Sequence, residues 1–185
     1  SRSRYFMPWF GDQITVGKST YFNAGYGDIL KGNETQITNW AATQWSKYFT
    51  QIQSINTLFE NLGEVSNGEQ KNRIIGEAHF MRGYYYYMLW RMFGGVTLID
   101  HTYNPLIKEE KFPRASYQQM VDFIVAEADE AAKYLPQVHA TSETGRATLG
   151  TALMLKAKTY MWASSKVFQN KDADKTYLGF ADDQS

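Results

Sequence analysis

Residues 77–95 form the densest apolar stretch of this chain, and they constrain its fold more than any other feature. Four consecutive tyrosines, residues 84–87, place aromatic rings on every side of a helix in this stretch. We therefore expect a helix surrounded by other helices, with its tyrosine hydroxyls bonded inside the fold. The apolar stripe recurs at steps of three and four, the spacing of one helical face, and consists of Ile74, Ala78, Met81, Tyr85, Met88 and Met92.

Two glycines, Gly94 and Gly95, follow directly and are predicted to end this helix. Glycine reaches the left-handed conformation that closes a helix C-terminus without a steric cost. Residues 96–99 (Val-Thr-Leu-Ile) then read as a short extended segment, which is too short to form a sheet by itself.

The same helical spacing predicts three further helices. The first covers about residues 38–62, and its apolar stripe is Trp45, Tyr48, Ile52, Ile55, Phe59 and Leu62. The third begins after Ser116, which stands three residues before Gln119 as in a capping box, and ends at Pro136. Its polar face is predicted to be solvated and carries Asp122, Glu127, Asp129, Glu130 and Lys133. The fourth covers about residues 147–168 and is apolar on more than one face, so we expect it to be well buried.

The short polar turn at residues 65–68, between the helix at about 38–62 and the helix at 69–93, favours an antiparallel hairpin. The helices start at intervals roughly similar to the 34 residues of a tetratricopeptide-type repeat. The predicted fold class is therefore mainly α, with helical hairpins in a tetratricopeptide-like arrangement and irregular loops. The chain divides into three predicted regions: an irregular, aromatic-rich segment (1–36), a helical-hairpin core (37–169) and a tail (170–185).

Composition excludes several classes of function. Lys plus Arg and Asp plus Glu both number 19, and a formal net charge of zero argues against a nucleic-acid surface. Without cysteine the chain has no disulfide and no thiolate metal site, and its three histidines show no metal-ligand spacing. No apolar run is long enough to cross a membrane, and no signal peptide is recognisable. We expect no cofactor and no metal, in a chain that is soluble as it stands or is a piece of a larger protein.

Four motifs, in order along the chain, resemble the SusD/RagB-like proteins, the nutrient-binding lipoproteins of the Bacteroidetes outer membrane. The central one is Glu77-Ala-His-Phe-Met-Arg82-Gly-Tyr-Tyr-Tyr-Tyr-Met-Leu89, followed by Phe93-Gly94-Gly95-Val96. The other three are Trp45-x-x-Tyr48-x-x-x-Ile52-x-x-x-Asn56, Arg114-Ala-Ser116 leading to Leu135-Pro136, and Gly145-Arg146-Ala-Thr leading to Tyr160. One departure is Thr97, where the family often has proline.

The resemblance implies a binding protein and not an enzyme. Members are held on the cell surface of the outer membrane by an N-terminal lipid. They cap a SusC-like TonB-dependent transporter and present it with oligosaccharides, or in some cases peptides. Members are also much longer than this chain, which is similar to their N-terminal helical part. We therefore expect the lipid anchor and much of the ligand surface to lie outside these residues.

The resemblance and the chemistry of sugars together suggest a set of ligand-binding residues. A flat Trp or Tyr covers the apolar face of a sugar ring, and an amide bonds its hydroxyls. The candidates are Trp9, Tyr21, Tyr26, Asn39 and Trp40. Each has an alternative role in packing beneath the loops.

Four further residues match family motifs and are expected to be structural. Gly94 and Gly95 would end a helix, while Arg82 and Arg146 would be buried and bonded to carboxylates or to helix-end carbonyls.

The sequence leaves two other functions open. A tetratricopeptide-like scaffold would bind only protein partners and would not need aromatic residues in its loops. A glycan-cleaving enzyme would need two facing carboxylates, and no pair in the sequence suggests itself.

Overall fold

The computed structural model describes residues 40–64, 68–103, 112–169 and 173–181. Within these ranges the chain is helical and contains no strand, which confirms the mainly α class. The chain divides into two compact units, residues 1–47 and 48–185. Only residues 40–47 of the first unit are described, and the helix packing lies within the second unit. The α-helices within the described ranges are α1 (Trp40–Glu60), α2 (Glu69–Phe93), α3 (Tyr117–Tyr134) and α4 (Leu149–Ala163).

Successive helices run antiparallel, as the predicted hairpins require. The residues that meet across each pair show this, because numbers rise along one helix as they fall along the next. Between α1 and α2 the contacts are Tyr48–Tyr85 and Phe59–His79, and between α2 and α3 they are Tyr86–Phe123 and Trp90–Tyr117. Between α3 and α4, Asp129 pairs with Lys156. Phe168, which follows α4, contacts both Trp162 of α4 and Tyr117 of α3.

Side-chain caps start α3 and α4. The Ser116 hydroxyl accepts from the Gln119 N–H at 3.1 Å, and the Gln119 side chain accepts from the Ser116 N–H at 2.8 Å. This is the predicted capping box. A second box at α4, between Thr148 and Thr151, was not predicted because threonine replaces the usual Glu or Gln. Each cap satisfies amides that a helix start leaves unpaired.

The core is an aromatic layer between α2 and α3. Tyr86 is fully buried, and its hydroxyl donates to the Ile99 carbonyl at 3.1 Å and accepts from the Ile99 N–H at 2.7 Å. Burial raises the pKa of Tyr86 to about 12. The expectation that all four tyrosines are enclosed was wrong, since Tyr84 is 39% exposed. The largest fully buried side chains include Trp90, Tyr86, Tyr117, Ile52, Leu89, Met120 and Ile124.

The predicted apolar stripe of α2 is not its core face. Of those six residues only Ala78 is buried, and Met81 is exposed. The true core face includes an arginine and two glycines, which a search for apolar periodicity passes over. Its buried residues are Gly76, Ala78, Arg82, Gly83, Tyr86, Tyr87, Leu89 and Trp90.

The prediction that the fourth helix is well buried was also wrong. Helix α4 packs on one side only, through Ala152, Leu155, Thr159 and Ala163. Leu153 and Met161, away from that side, are 51% and 68% exposed. The α-helix also ends at Ala163, and residues 166–168 form a separate turn of 3₁₀ helix.

Gly94 and Gly95 lie where two segments close over the end of α2. Gly94 has a φ of 71° and its N–H donates to the Trp90 carbonyl at 2.9 Å. The Gly95 N–H donates to the Tyr177 carbonyl at 2.6 Å. A Cβ on Gly95 would overlap the Ala115 carbonyl oxygen, so only glycine fits.

Residues 173–181 belong to the predicted tail (170–185), and they help to cover the C-terminal end of α2. The Thr176 carbonyl accepts from the Tyr117 N–H at 2.7 Å. Phe180 is buried, and its ring lies edge-on to that of Tyr117 at 5.1 Å.

Replacing Gly95 with alanine should destabilise the fold by about 1–3 kcal/mol, because the new methyl group must displace the backbone at Ala115. The control is Gly63→Ala, since a Cβ there meets nothing within 4 Å. We expect the control to change stability by less than about 0.5 kcal/mol. Denaturant unfolding of the two variants measures the difference. Equal stabilities would contradict the close approach at Gly95.

Candidate functional site

Most of the predicted ligand-binding residues lie outside the described part of the chain. Trp9, Tyr21, Tyr26 and Asn39 fall within residues 1–39, which the structure does not describe. Trp40 is the first residue of α1. Their role in stacking on a sugar stays a prediction.

A buried polar cluster joins α1, α2 and α3. Arg82 donates from Nε and Nη2 to the two Glu127 carboxylate oxygens at 2.9 and 2.7 Å. Its Nη1 donates to Asn56 Oδ1 at 3.0 Å. His79 Nδ1 lies 3.1 Å from Glu127 Oε2, and the Arg82 guanidinium lies 4.5 Å from the centre of the Phe59 ring. The guanidinium is thus satisfied on its edges and covered on a face.

The prediction that Glu127 is solvated was wrong, because this residue is only 6% exposed. Burial by itself raises the pKa of a carboxyl group. Here the hydrogen bonds from His79 and Arg82, with the charge of the arginine, outweigh burial and hold the pKa of Glu127 below its usual value. Glu127 is therefore the ionised partner of Arg82.

Asn56 extends the cluster to the chain segment that follows α2. Its Nδ2 donates to the carbonyls of Ile99 at 3.0 Å and His101 at 2.9 Å. With the two bonds of Tyr86, these contacts satisfy a segment that belongs to no sheet. No role was predicted for Asn56 from the sequence, although a polar residue four positions after Ile52 on an apolar stripe was a usable signal.

Arg146 is exposed, so its predicted burial was wrong, but it does bond a carboxylate. It donates twice to Glu77 at 2.7 Å, from Nε and Nη2. Arg73 lies one turn before Glu77 on α2, and its Nη1 donates to the Glu143 carboxylate at 2.7 Å. The two pairs fasten the connection between α3 and α4 onto α2.

A groove of about 330 Å³ runs along the surface between α1 and α2. Four of the six residues of the predicted α2 stripe, Ile74, Ala78, Met81 and Tyr85, line it, whereas Met88 packs against the core. An apolar groove of this volume can hold apolar side chains of a ligand or partner. Its apolar lining consists of Ile55, Leu58, Ile74, Ala78, Met81 and Tyr85.

Two kinds of feature are absent from the described ranges. No group of three or more His, Asp or Glu residues in them could hold a metal ion. None of the helices in them combines the length and the hydropathy of a membrane span.

Known proteins similar in sequence to this chain are SusD-like. A SusD-like family model, described as starch-binding and associating with the outer membrane, matches residues 8–161. Two curated SusD-like proteins of Formosa agariphila are 25% and 24% identical over 135 and 127 residues. These matches cover 73% and 68% of this chain but 26% and 24% of the relatives. The chain thus spans about a quarter of the length of these relatives.

Solved structures share the fold. A SusD-like carbohydrate-binding protein from Bacteroides fragilis has a TM-score of 0.70 at 26% identity, over 77% of this chain and 28% of that one. A second SusD-like protein from that species has a TM-score of 0.66 at 28% identity, over 72% and 26%. A laminarin-binding SusD-like protein has a TM-score of 0.72 over 86% and 38%, and its 23% identity supports the fold alone.

The Arg82–Glu127 pair predicts strongly non-additive substitutions. Glu127→Met leaves a buried guanidinium without its carboxylate, which should cost about 3–5 kcal/mol, whereas Arg82→Met combined with it should recover much of that loss. Asp129→Asn, at the surface pair with Lys156, is the control and should cost less than about 1 kcal/mol. Chemical denaturation measures the wild type, both single variants, the double variant and the control. If the double variant loses as much stability as the two single variants lose together, the proposed coupling of Arg82 and Glu127 is contradicted.

The lowered pKa of Glu127 also predicts how stability depends on pH. Its stabilising contribution is complete above the usual carboxyl pKa of 4.5 and is lost as the pH falls through the lower value of the folded state. Glutamine at position 127 cannot take up this proton. The free energy of unfolding of Glu127→Gln, measured between about pH 6 and pH 3, should therefore fall less steeply than that of the wild type. Parallel curves for the two proteins would show that Glu127 does not titrate with folding.

Proposed function

This chain belongs to the SusD-like family, and we propose that the protein containing it is a cell-surface subunit that binds oligosaccharides and delivers them to a SusC-like TonB-dependent transporter. The match of the family model to residues 8–161 is the observation that carries this proposal. That model is described as starch-binding. A structural neighbour at 26% identity is described as carbohydrate-binding. Both descriptions favour a glycan over a peptide ligand.

The helices act as the rigid scaffold in this proposal. Helix α2 contacts α1, α3 and the segment after it, and the Arg82 cluster fixes all of them together. The ligand then binds to the aromatic-rich N-terminal segment and to parts of the longer protein beyond this chain. Trp9, Tyr21, Tyr26, Asn39 and Trp40 are the proposed contact residues, with ring faces on the sugar and the amide on its hydroxyls.

A lipid anchor at the cell surface and a transporter as partner complete the proposal. The family description supports association with the outer membrane. The exposed apolar side of α4, which includes Met154, Tyr160 and Met161, supports a protein neighbour, because such a patch is seldom left open to water. The same face favours the second candidate, a tetratricopeptide-like scaffold that binds only proteins.

We further propose binding without catalysis. The carboxylates of Glu77, Glu127, Asp129 and Glu143 are each paired with an arginine or a lysine. Such pairing does not suit the acid and the nucleophile of a glycan-cleaving enzyme.

Affinity gel electrophoresis of the full chain in soluble starch and in laminarin tests the glycan ligand. We expect at least one polysaccharide to retard the wild type. A Trp9→Ala/Trp40→Ala variant should bind that polysaccharide at least about tenfold more weakly, because two stacking rings are lost. Tyr160→Ala, on the exposed side of α4, is the control and should migrate like the wild type. A wild type that neither polysaccharide retards would contradict the proposal and favour the protein scaffold.

A further inference from the structure

A recess of about 630 Å³ lies where the start of α2 meets the end of α3. This volume is within the range of small-molecule sites. The recess is separate from the groove between α1 and α2, with which it shares no lining residue. Its lining includes Glu69, Gln70, Asn72, Arg73, Tyr134 and Pro136.

Close packing of the two helices fixes the aromatic wall of the recess. A Cβ on Gly76 would come within 2.9 Å of the Tyr134 Cβ, so glycine allows the last turn of α3 to approach α2. Leu135 is buried, and its N–H donates to the Ala131 carbonyl at 3.0 Å. The backbone at Tyr134 is therefore held in place, while the residue itself stays 38% exposed. A tyrosine held in this way presents a ring to a ligand at little further entropic cost.

The start of α2 contributes planar polar side chains to the lining of the recess. Gln70 and Asn72 are exposed, and neither side-chain amide has a hydrogen-bond partner among the described residues. The same is true of the Glu69 carboxylate. Each amide offers both donors and an acceptor, which suits neighbouring hydroxyl groups on one ligand.

The charges of the recess argue against a phosphate-like ligand. Its two cations are already paired, Arg73 with Glu143 at 2.7 Å and Lys133 with Glu130 at 2.6 Å. The Arg73 Nε is buried and has no acceptor within the described part of the chain, so one N–H donor remains. A polyhydroxylated neutral ligand matches this balance better than an anion does.

We propose that this recess is a carbohydrate-contact site, in which one sugar ring packs on Tyr134 and its hydroxyls bond to Gln70, Asn72 and Glu69. This inference rests on the proposed function, and it adds a contact on the helical scaffold to those of the N-terminal segment. An exposed ring beside unpaired planar side chains is the chemistry of a sugar site. A peptide would instead need a strand edge or an apolar groove, and this recess offers neither.

The test compares tyrosine variants of the full chain by affinity electrophoresis in the polysaccharide that retards the wild type, soluble starch or laminarin. Tyr134→Ala should weaken binding about tenfold, because the stacking face is lost. Tyr134→Phe keeps the ring and should remain within about threefold of the wild type. Tyr84→Ala is the matched control, since Tyr84 is 39% exposed and lies outside the recess, and it should leave binding unchanged.

An Asn72→Ala/Gln70→Ala variant tests the polar wall without touching the ring, and it should weaken binding by a similar factor. If the wild type binds and Tyr134→Ala binds equally well, the recess is not a contact site, while the proposed function stands. A wild type that binds neither polysaccharide contradicts the proposed function itself and removes this inference with it.

Discussion

The described fold depends on one buried ion pair, between Arg82 at the middle of α2 and Glu127 on α3. A buried arginine is costly unless its donors find acceptors, and here each of the three guanidinium nitrogens donates to the Glu127 carboxylate or to the Asn56 side chain. Asn56 in turn holds the carbonyls of residues 99 and 101. One cation thus sets the positions of α1, α3 and the extended segment relative to α2. Removing either charge leaves the other uncompensated in the core. Only a packing of the helices that brings the two residues together is therefore stable.

The two ends of α2 are fixed by different physical means. At the C-terminal end, Gly94 and Gly95 allow backbone from residues 115 and 177 to close over the helix, with hydrogen bonds that side chains would obstruct. At the N-terminal end, the pairs Arg73–Glu143 and Arg146–Glu77 hold the connection between α3 and α4. Backbone covers the first end, whereas a recess remains beside the close contact of α2 and α3 at the second. The recess is where unpaired polar side chains and an exposed tyrosine are available to a ligand.

Local signals were sufficient to predict the helices, the capping box at Ser116 and the glycine stop, because each depends on residues within one or two turns. Pairing over long sequence separation was not predictable in this way. Glu127 lies on a charged face and reads as solvated, and nothing near it in the sequence shows that Arg82 draws it into the core. The open sides of α2 and α4 have a related cause. Apolar periodicity shows that a face avoids water, but it does not show whether this stretch of chain or another partner covers that face.

The central claim is that these helices are the scaffold of a surface glycan-binding protein, with contacts in the N-terminal segment and in the recess at Tyr134. Hydroxyl-radical footprinting of the full chain, with and without a polysaccharide that it binds, tests this claim most directly. We predict protection of Trp9, Trp40 and Tyr134 on binding, and an unchanged rate of modification at Tyr84. Protection confined to Tyr84 and the exposed side of α4, or an identical pattern with and without polysaccharide, would contradict the claim.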